Sequence, residues 1–328
     1  MNAEIKALLV SIGSANIDES LLKEAAETTI PSAGPGAGLE SFFMKSGNHR
    51  VRLSINKNSP LKVVRHKNGV VVIKDKKAIV TGALEPALSH CPEQAYITIS
   101  GCCIHNCKFC PVPKLQGDVK SVDKILQLVE EAEQRGELRA IALTSGVAES
   151  ADKETKKTVK VMRALKERYD LPIGVSIYPT ETSSQELYEA GATEIKYNVE
   201  SMDPEVFKHF CPGMSLPLVL KSLEKSVEIF GDNRVASNFI LGLGESDECV
   251  IRGLSQLAEM GVIPILRPIS PHPLRTKEAK VQRPSAERLL KLAKIARKVL
   301  DDYGLRADLA ETMCLPCTGC DITPHRDI

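Results

Sequence analysis

The chain has 328 residues, of which 43% are hydrophobic and 26% charged, and its formal net charge is +1. This composition is ordinary for a folded protein, and a net charge so near zero provides no field that would attract nucleic acid or an anionic membrane. Aromatic residues make up only 4%, which argues against stacking platforms for single-stranded nucleic acid. No apolar run approaches the roughly 20 residues that span a bilayer, and the N-terminus does not resemble a signal peptide. We therefore expect a cytoplasmic protein.

Ten cysteines are the most informative feature of the composition. In a cytoplasmic protein they are more typical of metal ligation than of a disulfide framework. Four fall at positions 102–110 and three at 314–320, while Cys91, Cys211 and Cys249 are scattered. The distribution predicts two metal-binding segments.

Residues 1–91 are expected to form a β-rich and helical cap. Apolar residues at helical spacing predict two short helices within residues 1–30, and a Gly/Pro-rich break follows at 31–38. Alternating apolar runs predict strands at 51–55, 61–64 and 70–73, with a hairpin turn at Asn68-Gly69.

In residues 92–304, short β-branched strands alternate with amphipathic helices, which is typical of βα units around a parallel sheet. The expected strands are 96–100, 140–144, 173–177, 194–198, 235–241 and 262–268. Ser121 and Asp203 are expected to cap helices. Six such units predict an α/β fold, a partial (β/α)6 TIM-type barrel whose functional residues lie at the C-terminal ends of its strands. Residues 305–328 form a cysteine-containing tail.

The loop after the first predicted barrel strand carries Cys103, Cys107 and Cys110 in the pattern CxxxCxxC. Thiolates are the usual ligands of iron–sulfur clusters. Three of them would bind three irons of a [4Fe–4S] cluster and leave the fourth iron open to an amine and a carboxylate. The alternative is a structural zinc site, which needs four ligands. Cys102 and His105 lie too close to Cys103 in sequence to complete such a site comfortably.

This loop resembles the cluster loop of the radical S-adenosylmethionine (SAM) superfamily, including the aromatic Phe109 before the last cysteine. The resemblance implies that Cys103, Cys107 and Cys110 hold a [4Fe–4S] cluster and that Phe109 lies against the adenine of SAM. It also implies cleavage of SAM to methionine and a 5′-deoxyadenosyl radical, with an electron from a reductant such as ferredoxin or flavodoxin.

Two further strand ends extend the resemblance. Ser145 and Gly146 follow the second strand, where the family holds the methionine amino group; an ordinary turn is the alternative. Gly242, Gly244 and Glu245 follow the fifth strand, at the place of the adenosine-side glycine motif. Glycines there allow close backbone contact with a nucleoside, while a helix cap is the alternative role for Glu245.

The fourth strand runs into Asn198 and Glu200, which alternation places on one face. An amide and a carboxylate so placed can hydrogen-bond ribose hydroxyls and the methionine end of SAM; a carboxylate at a helix start is the alternative. This segment, the block at 211–215 and the run at 242–248 resemble motifs of lipoyl synthases, although Cys211 stands where their block has arginine. Arg267, after the sixth strand, is expected in a surface salt bridge, with a carboxylate ligand as the alternative.

The tail carries a second group of thiols in the pattern CxxCxxC, at Cys314, Cys317 and Cys320. Resemblance to sulfur-inserting radical enzymes implies an auxiliary iron–sulfur cluster on a mobile tail, which lipoyl synthases consume as the sulfur source. Zinc, or a cluster used only for electron transfer, is the alternative. The fourth ligand is open: Cys91, His325 and a hydroxyl are candidates. Single-chain lipoyl synthases carry their auxiliary cysteines in an N-terminal motif that is absent from this sequence.

The combination is similar to biotin-synthase-related proteins, which include components of two-protein lipoyl synthases. It implies a radical SAM enzyme that abstracts hydrogen from an unactivated C–H bond and inserts sulfur into an octanoyl-type chain. The expected partners are a carrier-bound or small-molecule acyl substrate and a second radical SAM protein, with no nucleic acid and no membrane. The alternatives are a radical methylase or isomerase with an electron-transfer auxiliary cluster, and a zinc-stabilised binding module.

Overall fold

The structure, a computed structural model, describes residues 1–24, 30, 36–278 and 280–328. Residues 31–35 of the predicted Gly/Pro-rich break lie outside the described residues. The strands are β1 Ser14–Ile17, β2 Ser41–Ser46, β3 His49–Ile55, β4 Leu61–His66, β5 Gly69–Lys74, β6 Lys77–Glu85, β7 Gln94–Thr98, β8 Ala140–Thr144, β9 Ile173–Ser176, β10 Glu194–Lys196, β11 Val235–Leu241 and β12 Ile263–Pro268.

The helices follow the strands in the expected alternation from β7 onward. They are α1 Ala3–Ile12, α2 Glu19–Glu24, α3 Val112–Leu115, α4 Val122–Arg135, α5 Ala151–Lys166, α6 Ser183–Glu189, α7 Pro204–Phe210, α8 Leu216–Phe230, α9 Asp247–Glu259, α10 Ala286–Asp302 and α11 Cys314–Cys317. Within these ranges, no helix combines the length and the apolar character needed to cross a membrane.

The N-terminal strands form a closed six-stranded barrel in the order β1-β3-β2-β6-β5-β4. Strand β1 closes it, because it pairs in parallel with both β3 and β4. The two helices predicted in residues 1–30 are confirmed as α1 and α2, and the structure adds strand β1 between them, which the sequence analysis did not predict. The hairpin at Asn68-Gly69 is confirmed by the antiparallel pairing of β4 with β5. Strand β1 has only four residues, and β6 is exposed or half-exposed along its whole length, which explains why the sequence did not reveal a closed barrel.

Strands β7 to β12 form one parallel sheet in sequence order, with β7 and β12 at its edges. This arrangement confirms the predicted partial TIM-type barrel of six βα units. Strands β8 and β11 have the predicted bounds, whereas β7 begins two residues earlier and β10 ends at Lys196. The predicted helix caps are also confirmed, since Ser121 and Asp203 accept backbone N–H groups at the starts of α4 and α7.

The C-terminal tail closes the bottom of the partial barrel. Glu194 begins β10, and its carboxylate accepts the backbone N–H groups of Glu311 (2.7 Å) and Thr312 (2.9 Å). Gln94 begins β7 and bonds both backbone groups of Met313, at 2.7 and 3.0 Å. Because the first residues of parallel strands lie at the same edge of a sheet, these contacts place the tail at the N-terminal end of the barrel.

The tail then rises between the two barrels. The backbone N–H of Arg52, on β3, donates to the Gly319 carbonyl at 2.6 Å. Lys6, on α1, is fully buried and bonds both the Thr318 carbonyl (2.7 Å) and the Asp327 carboxylate (2.5 Å). The expectation of a mobile tail is therefore wrong, because this segment is anchored by buried polar contacts to both barrels.

Candidate active site

A cavity of about 470 Å³ lies inside the partial barrel, and both groups of cysteines border it. The predicted site residues that line it are Cys103, Cys107, Phe109, Cys110, Ser145, Gly146, Asn198, Glu200, Cys314 and Cys320. The remaining predicted residues (Cys317, Gly242, Gly244 and Glu245) lie outside the lining of this cavity.

The cluster loop follows β7 and is fixed by backbone hydrogen bonds to its neighbours. The N–H of Ile104 donates to the Val147 carbonyl (2.7 Å), and that of Lys108 to the Phe210 carbonyl (2.8 Å). In return, the N–H of Val147 donates to the Cys103 sulfur at 3.3 Å. An amide donor aimed at sulfur stabilises a thiolate, so this contact suits a metal-bound Cys103.

Phe109 and Cys110 occupy the buried side of the loop. Phe109 is 5% exposed and belongs to an apolar group that includes Phe207 and Ile240. Burial raises the pKa of Cys110 to about 12, so its free thiol is protonated at neutral pH and a metal must displace that proton. The placement of Phe109 in the cavity wall is compatible with a contact to adenine, which stays a prediction.

Gly146 has no side chain because the cluster loop packs directly against it. A Cβ atom there would overlap the Cys102 carbonyl oxygen and would lie 3.1 Å from the Cys103 Cβ. The neighbouring Ser145 hydroxyl accepts the N–H of Ser100 (2.9 Å) and donates to the buried Glu154 carboxylate (2.6 Å). The proposed contact of Ser145 and Gly146 with the methionine amino group stays a prediction.

Alternation beyond β10 places the polar side chains in the cavity, as expected. Tyr197 and Val199 are fully buried on the opposite face, whereas Asn198 and Glu200 line the cavity. The Asn198 side-chain oxygen accepts the backbone N–H of Asn238 at 3.2 Å. Their contacts with SAM stay predictions, but the face they share is the one that the pattern predicted.

Asn238 is a cavity residue that the sequence analysis missed. It stands in the middle of β11 and lines the cavity. Its side-chain oxygen is buried and has no hydrogen-bond partner among the described residues. A buried acceptor without a partner is costly, so a donor from a bound ligand would fit here. An amide inside a largely apolar strand was the available signal.

Glu200 has an unusual backbone conformation, and its carboxyl group has an unusual pKa. Its φ angle is +56°, in the left-handed region. Burial raises the pKa of its carboxyl group to about 7, although Lys196, Asn198 and Arg267 act in the opposite direction. Near neutral pH the group can therefore exist in either state, and it can donate or accept a hydrogen bond.

The glycine-containing turn after β11 is held together by the carboxylate of Glu245, which belongs to the same turn. Glu245 accepts the N–H groups of Gly242 and Leu243, both at 2.8 Å, and pairs with Arg288 at 3.0 Å. Gly242 and Gly244 have φ angles of +107° and +112°, which disfavour any side chain. The structure therefore gives Glu245 a role in holding this turn, and cofactor contacts by the three residues stay predictions.

Each tail cysteine has a contact with a different cationic side chain. The Lys196 ammonium lies 3.3 Å from the Cys314 sulfur, and the Arg52 guanidinium 3.9 Å from the Cys320 sulfur. The third cation, Arg50, donates to the Cys317 carbonyl at 3.3 Å. A hydrogen bond from Cys91, helped by the Gly319 N–H and by Arg50, lowers the pKa of the Cys317 thiol to about 7.

Arg267 is another cation near the tail cysteines, and the prediction that it lies on the surface is wrong. Its side chain is 15% exposed, lines the cavity and pairs with the buried Asp321 at 3.4 Å.

His90 also lines the cavity, where its ring lies 4.9 Å from that of Tyr96. Burial lowers the pKa of His90 well below its usual value, so its imidazole is neutral. The sequence offered no signal for His90, because a single histidine outside a motif is usually structural.

The residues present fit the groups that the sequence implied. Three thiols with an amide donor suit an iron–sulfur cluster, and the orphan oxygen of Asn238 suits a hydroxyl or amino donor of SAM. The cations around the tail thiols suit a second anionic group. Among the described residues, no three His, Cys, Asp or Glu side chains are arranged around a single ion; the thiols of a cluster bind separate irons and need not converge.

Two curated proteins are similar to parts of this chain. A bacteriochlorophyllide c C-7(1)-hydroxylase of Chlorobaculum limnaeum is 31% identical over 110 residues, which are 32% of this chain and 27% of that protein. A lipoyl synthase of Alcanivorax borkumensis is 24% identical over 194 residues, which are 56% of this chain and 59% of that protein. The chain thus spans less than two thirds of the length of either relative.

The fold and the cluster loop are shared more widely. The structure of HydG, a maturase of the [FeFe]-hydrogenase, aligns with a TM-score of 0.52 and 17% sequence identity over 63% of this chain and 50% of that chain. In sequence, the radical SAM superfamily matches residues 97–256, from β7 and the thiol loop through most of α9. With three thiols placed at the C-terminal end of such a barrel, residues 97–256 form a radical SAM domain, which implies a [4Fe–4S] cluster and SAM as its cofactors.

Proposed function

We propose that this radical SAM enzyme replaces a C–H bond of an octanoyl-type chain with a C–S bond. The observation that carries the proposal is that thiols of both groups border one cavity. A cavity bordered in this way lets one substrate carbon meet both a radical source and a sulfur source. The similarity of 56% of the chain to a lipoyl synthase supports the choice of acyl substrate.

The end of β10 and the segment after it reach both groups of thiols. Lys196 touches the Cys314 sulfur at 3.3 Å, whereas Glu200, four residues further along, is close enough to Cys110 to raise the pKa of that thiol. Their partners on β11, Ala236 and Phe239, are three residues apart, so at about 3.3 Å per strand residue the separation is roughly 10 Å. A substrate chain several carbons long fits between such sites.

The cavity is lined by both polar and apolar side chains. Amide and carboxyl groups lie on β11, at Asn238, and beyond the end of β10, at Asn198 and Glu200. We assign them to SAM, because a nucleoside and an amino acid present several donors and acceptors. The apolar side chains around the cavity, which suit an alkyl chain, are Ile97, Val147, Ile177, Met214, Ile240 and Pro268.

Cys103, Cys107 and Cys110 would hold the loop cluster, which would pass one electron from a ferredoxin- or flavodoxin-type reductant to SAM and so supply a radical that abstracts hydrogen. Cys314, Cys317 and Cys320 would hold the auxiliary cluster, which would supply sulfide for the new C–S bond and accept on its irons the electron released when that bond forms. The protein positions these groups and keeps water from the radical. A carrier that presents the acyl chain and a second radical SAM protein complete the proposal, and both rest on the resemblance alone.

A second candidate keeps the tail cluster for electron transfer in a radical methylase or isomerase. The observation that favours it is the burial of the tail, because Cys317 is 7% exposed and Cys91 is fully buried. A cluster with two buried ligands is harder to consume than one whose ligands are all exposed. The radical SAM domain favours both candidates over a zinc-stabilised binding module.

Product analysis separates the candidates. Anaerobically reconstituted protein is mixed with dithionite, SAM and an octanoylated carrier peptide, and we expect deoxyadenosine and a thiolated peptide. Replacing Cys103, Cys107 and Cys110 with Ala should abolish both products. Replacing Cys314, Cys317 and Cys320 with Ala should halve the iron content and abolish only thiolation. A methylated or rearranged product would favour the second candidate, and deoxyadenosine without peptide modification would contradict sulfur insertion into this substrate.

A further inference from the structure

The tail cysteines number three, and a fourth thiol lies against them from a distant part of the chain. Cys91 and Cys317 pack in one small buried group with Phe43 and Ala87, and the two thiols are close enough to shift each other's pKa. Cys314 and Cys320 border the cavity, whereas Cys317 and Cys91 lie behind them. The four sulfurs therefore include two that face the cavity and two that face the N-terminal barrel.

Cys91 is held in place by the same turn that grips the tail. Its carbonyl accepts the N–H of Leu88 at 3.1 Å, and it pairs with Gln94 in an isolated bridge. Gln94 in turn bonds both backbone groups of Met313, the residue before Cys314. One short segment thus fixes Cys91 and the start of the tail motif relative to each other, as a preorganised ligand set requires.

His325, another candidate for the fourth ligand, already has hydrogen-bond partners. Both ring nitrogens of His325 have partners: Nε2 lies 2.9 Å from the Asp301 carboxylate, and Nδ1 accepts the N–H of Ala307. Its imidazole would have to break both contacts to reach a metal. The Tyr96 hydroxyl contacts Cys314. Because tyrosine ionises far above neutral pH, this hydroxyl stays protonated and can only donate a hydrogen bond to that sulfur.

We propose that Cys91 is the fourth thiolate ligand of an auxiliary cluster bound by Cys314, Cys317 and Cys320. This inference rests on the auxiliary cluster of the proposed function and adds its ligand set. Each thiol loses a proton as it binds iron, and Arg50, Arg52 and Lys196 offset the resulting negative charge. Four thiolates leave no iron open, so this cluster would not chelate SAM, in contrast to the cluster of the loop.

The test uses full-length protein in which Cys103, Cys107 and Cys110 are replaced with Ala, so that only the tail can hold a cluster. Into this parent we introduce Cys91→Ala or Cys91→Ser, with Cys249→Ala as the control, because Cys249 is buried in α9, away from the tail cysteines. Iron and sulfide are counted after anaerobic reconstitution. Electron paramagnetic resonance is recorded after mild oxidation, which releases an iron that lacks a protein ligand.

We expect the parent and the control to keep a four-iron cluster through oxidation. Cys91→Ala should lose one iron of the four and show the signal of a three-iron cluster, and Cys91→Ser, which keeps a weaker ligand, should lose less. An unchanged iron count and spectrum in Cys91→Ala would overturn the assignment of Cys91 while leaving the auxiliary cluster intact. A parent without iron, but with native circular dichroism, would overturn the auxiliary cluster itself and the assignment with it.

Discussion

The ammonium group of Lys196 lies 3.3 Å from the sulfur of Cys314, although 118 positions separate the two residues in sequence. Lys196 is the last residue of β10 and is nearly buried, with 3% exposure. A cation at this distance stabilises a thiolate and any negative charge that its metal acquires. The contact therefore places a cation of a barrel strand where it would influence any metal bound by the tail thiols.

Removal of this cation should lower the reduction potential of the proposed auxiliary cluster. Reduction adds a negative charge, which Lys196 stabilises, so Lys196→Met should shift the midpoint potential downward by on the order of 50 mV, where 59 mV is a tenfold change for one electron. Lys196→Arg keeps the charge and should shift it less. The measurement is a spectroelectrochemical titration in the background without the loop cysteines. Equal potentials for the Met and Arg variants would contradict an electrostatic role.

Glu200 should make the stability of the cluster-free protein depend on pH. Its pKa is about 7 in the folded protein against 4.5 as the usual value. Between these values the unfolded chain loses the proton first, so stability falls as pH rises from about 4.5 to about 7 and the full loss persists above. The loss is at most on the order of 3 kcal/mol, from 1.36 kcal/mol per unit.

Glu200→Gln removes this titration and should therefore gain stability relative to the wild type as pH rises. The free energy of unfolding is measured by denaturant titration at pH 5, 6, 7 and 8. Glu259→Gln, at an exposed carboxylate at the end of α9, serves as the control and should run parallel to the wild type. A constant difference between Glu200→Gln and the wild type across this range would contradict the raised pKa.

The barrel and its cluster loop could be predicted because their signals are local. Strands β8 and β11 are short apolar runs between clear helix ends, and the cysteines at 103, 107 and 110 fall in one loop. The shared face of Asn198 and Glu200 follows from strand alternation alone. Each of these features needs only a few consecutive residues to be recognised.

The route of the tail could not be predicted, because its partners are remote. Met313 bonds Gln94 across 219 positions, and Lys6 bonds Thr318 across 312. Periodicity indicates that a residue is buried but not which distant residue covers it. For the same reason Arg267 looked like a surface residue, and Cys91 was only one of several candidate ligands.

Gly146 should be required for assembly of the loop cluster. In Gly146→Ala the new methyl group would overlap the Cys102 carbonyl, so the loop must move away from the Val147 N–H that donates to Cys103. We expect loss of most loop iron and a destabilisation of about 1–3 kcal/mol. Iron is counted in the background without the tail cysteines, where only the loop can bind a cluster.

Gly136→Ala is the matched control for this variant. Gly136 has an extended backbone, and a Cβ there would meet only a Leu88 methyl group, at 3.1 Å. Its iron content should equal that of the parent protein. Normal iron in Gly146→Ala would show that the loop can shift without losing its ligands, contrary to the close packing described above.

Gly174 should be required for the tail to enter the barrel. It lies on β9, and a Cβ there would overlap the Thr312 hydroxyl and lie 2.7 Å from the Thr312 Cβ. Gly174→Ala should therefore displace the tail, destabilise the protein by about 1–3 kcal/mol and reduce iron binding at Cys314, Cys317 and Cys320. The free energy of unfolding and the tail iron are measured in the background without the loop cysteines.

Thr312→Gly provides the compensating change, because it removes the two nearest atoms that a new methyl group would meet and leaves only the end of the flexible Met313 side chain, at 2.9 Å. Alone it should destabilise the protein, since the Thr312 hydroxyl donates to Glu194 at 2.5 Å. Combined with Gly174→Ala it should cost less than the sum of the two single changes, as expected for residues in direct contact, and tail iron should recover. Additive effects in this cycle would mean that Gly174 does not accommodate the tail, and the closure of the barrel bottom by residues 311–313 would then need another explanation.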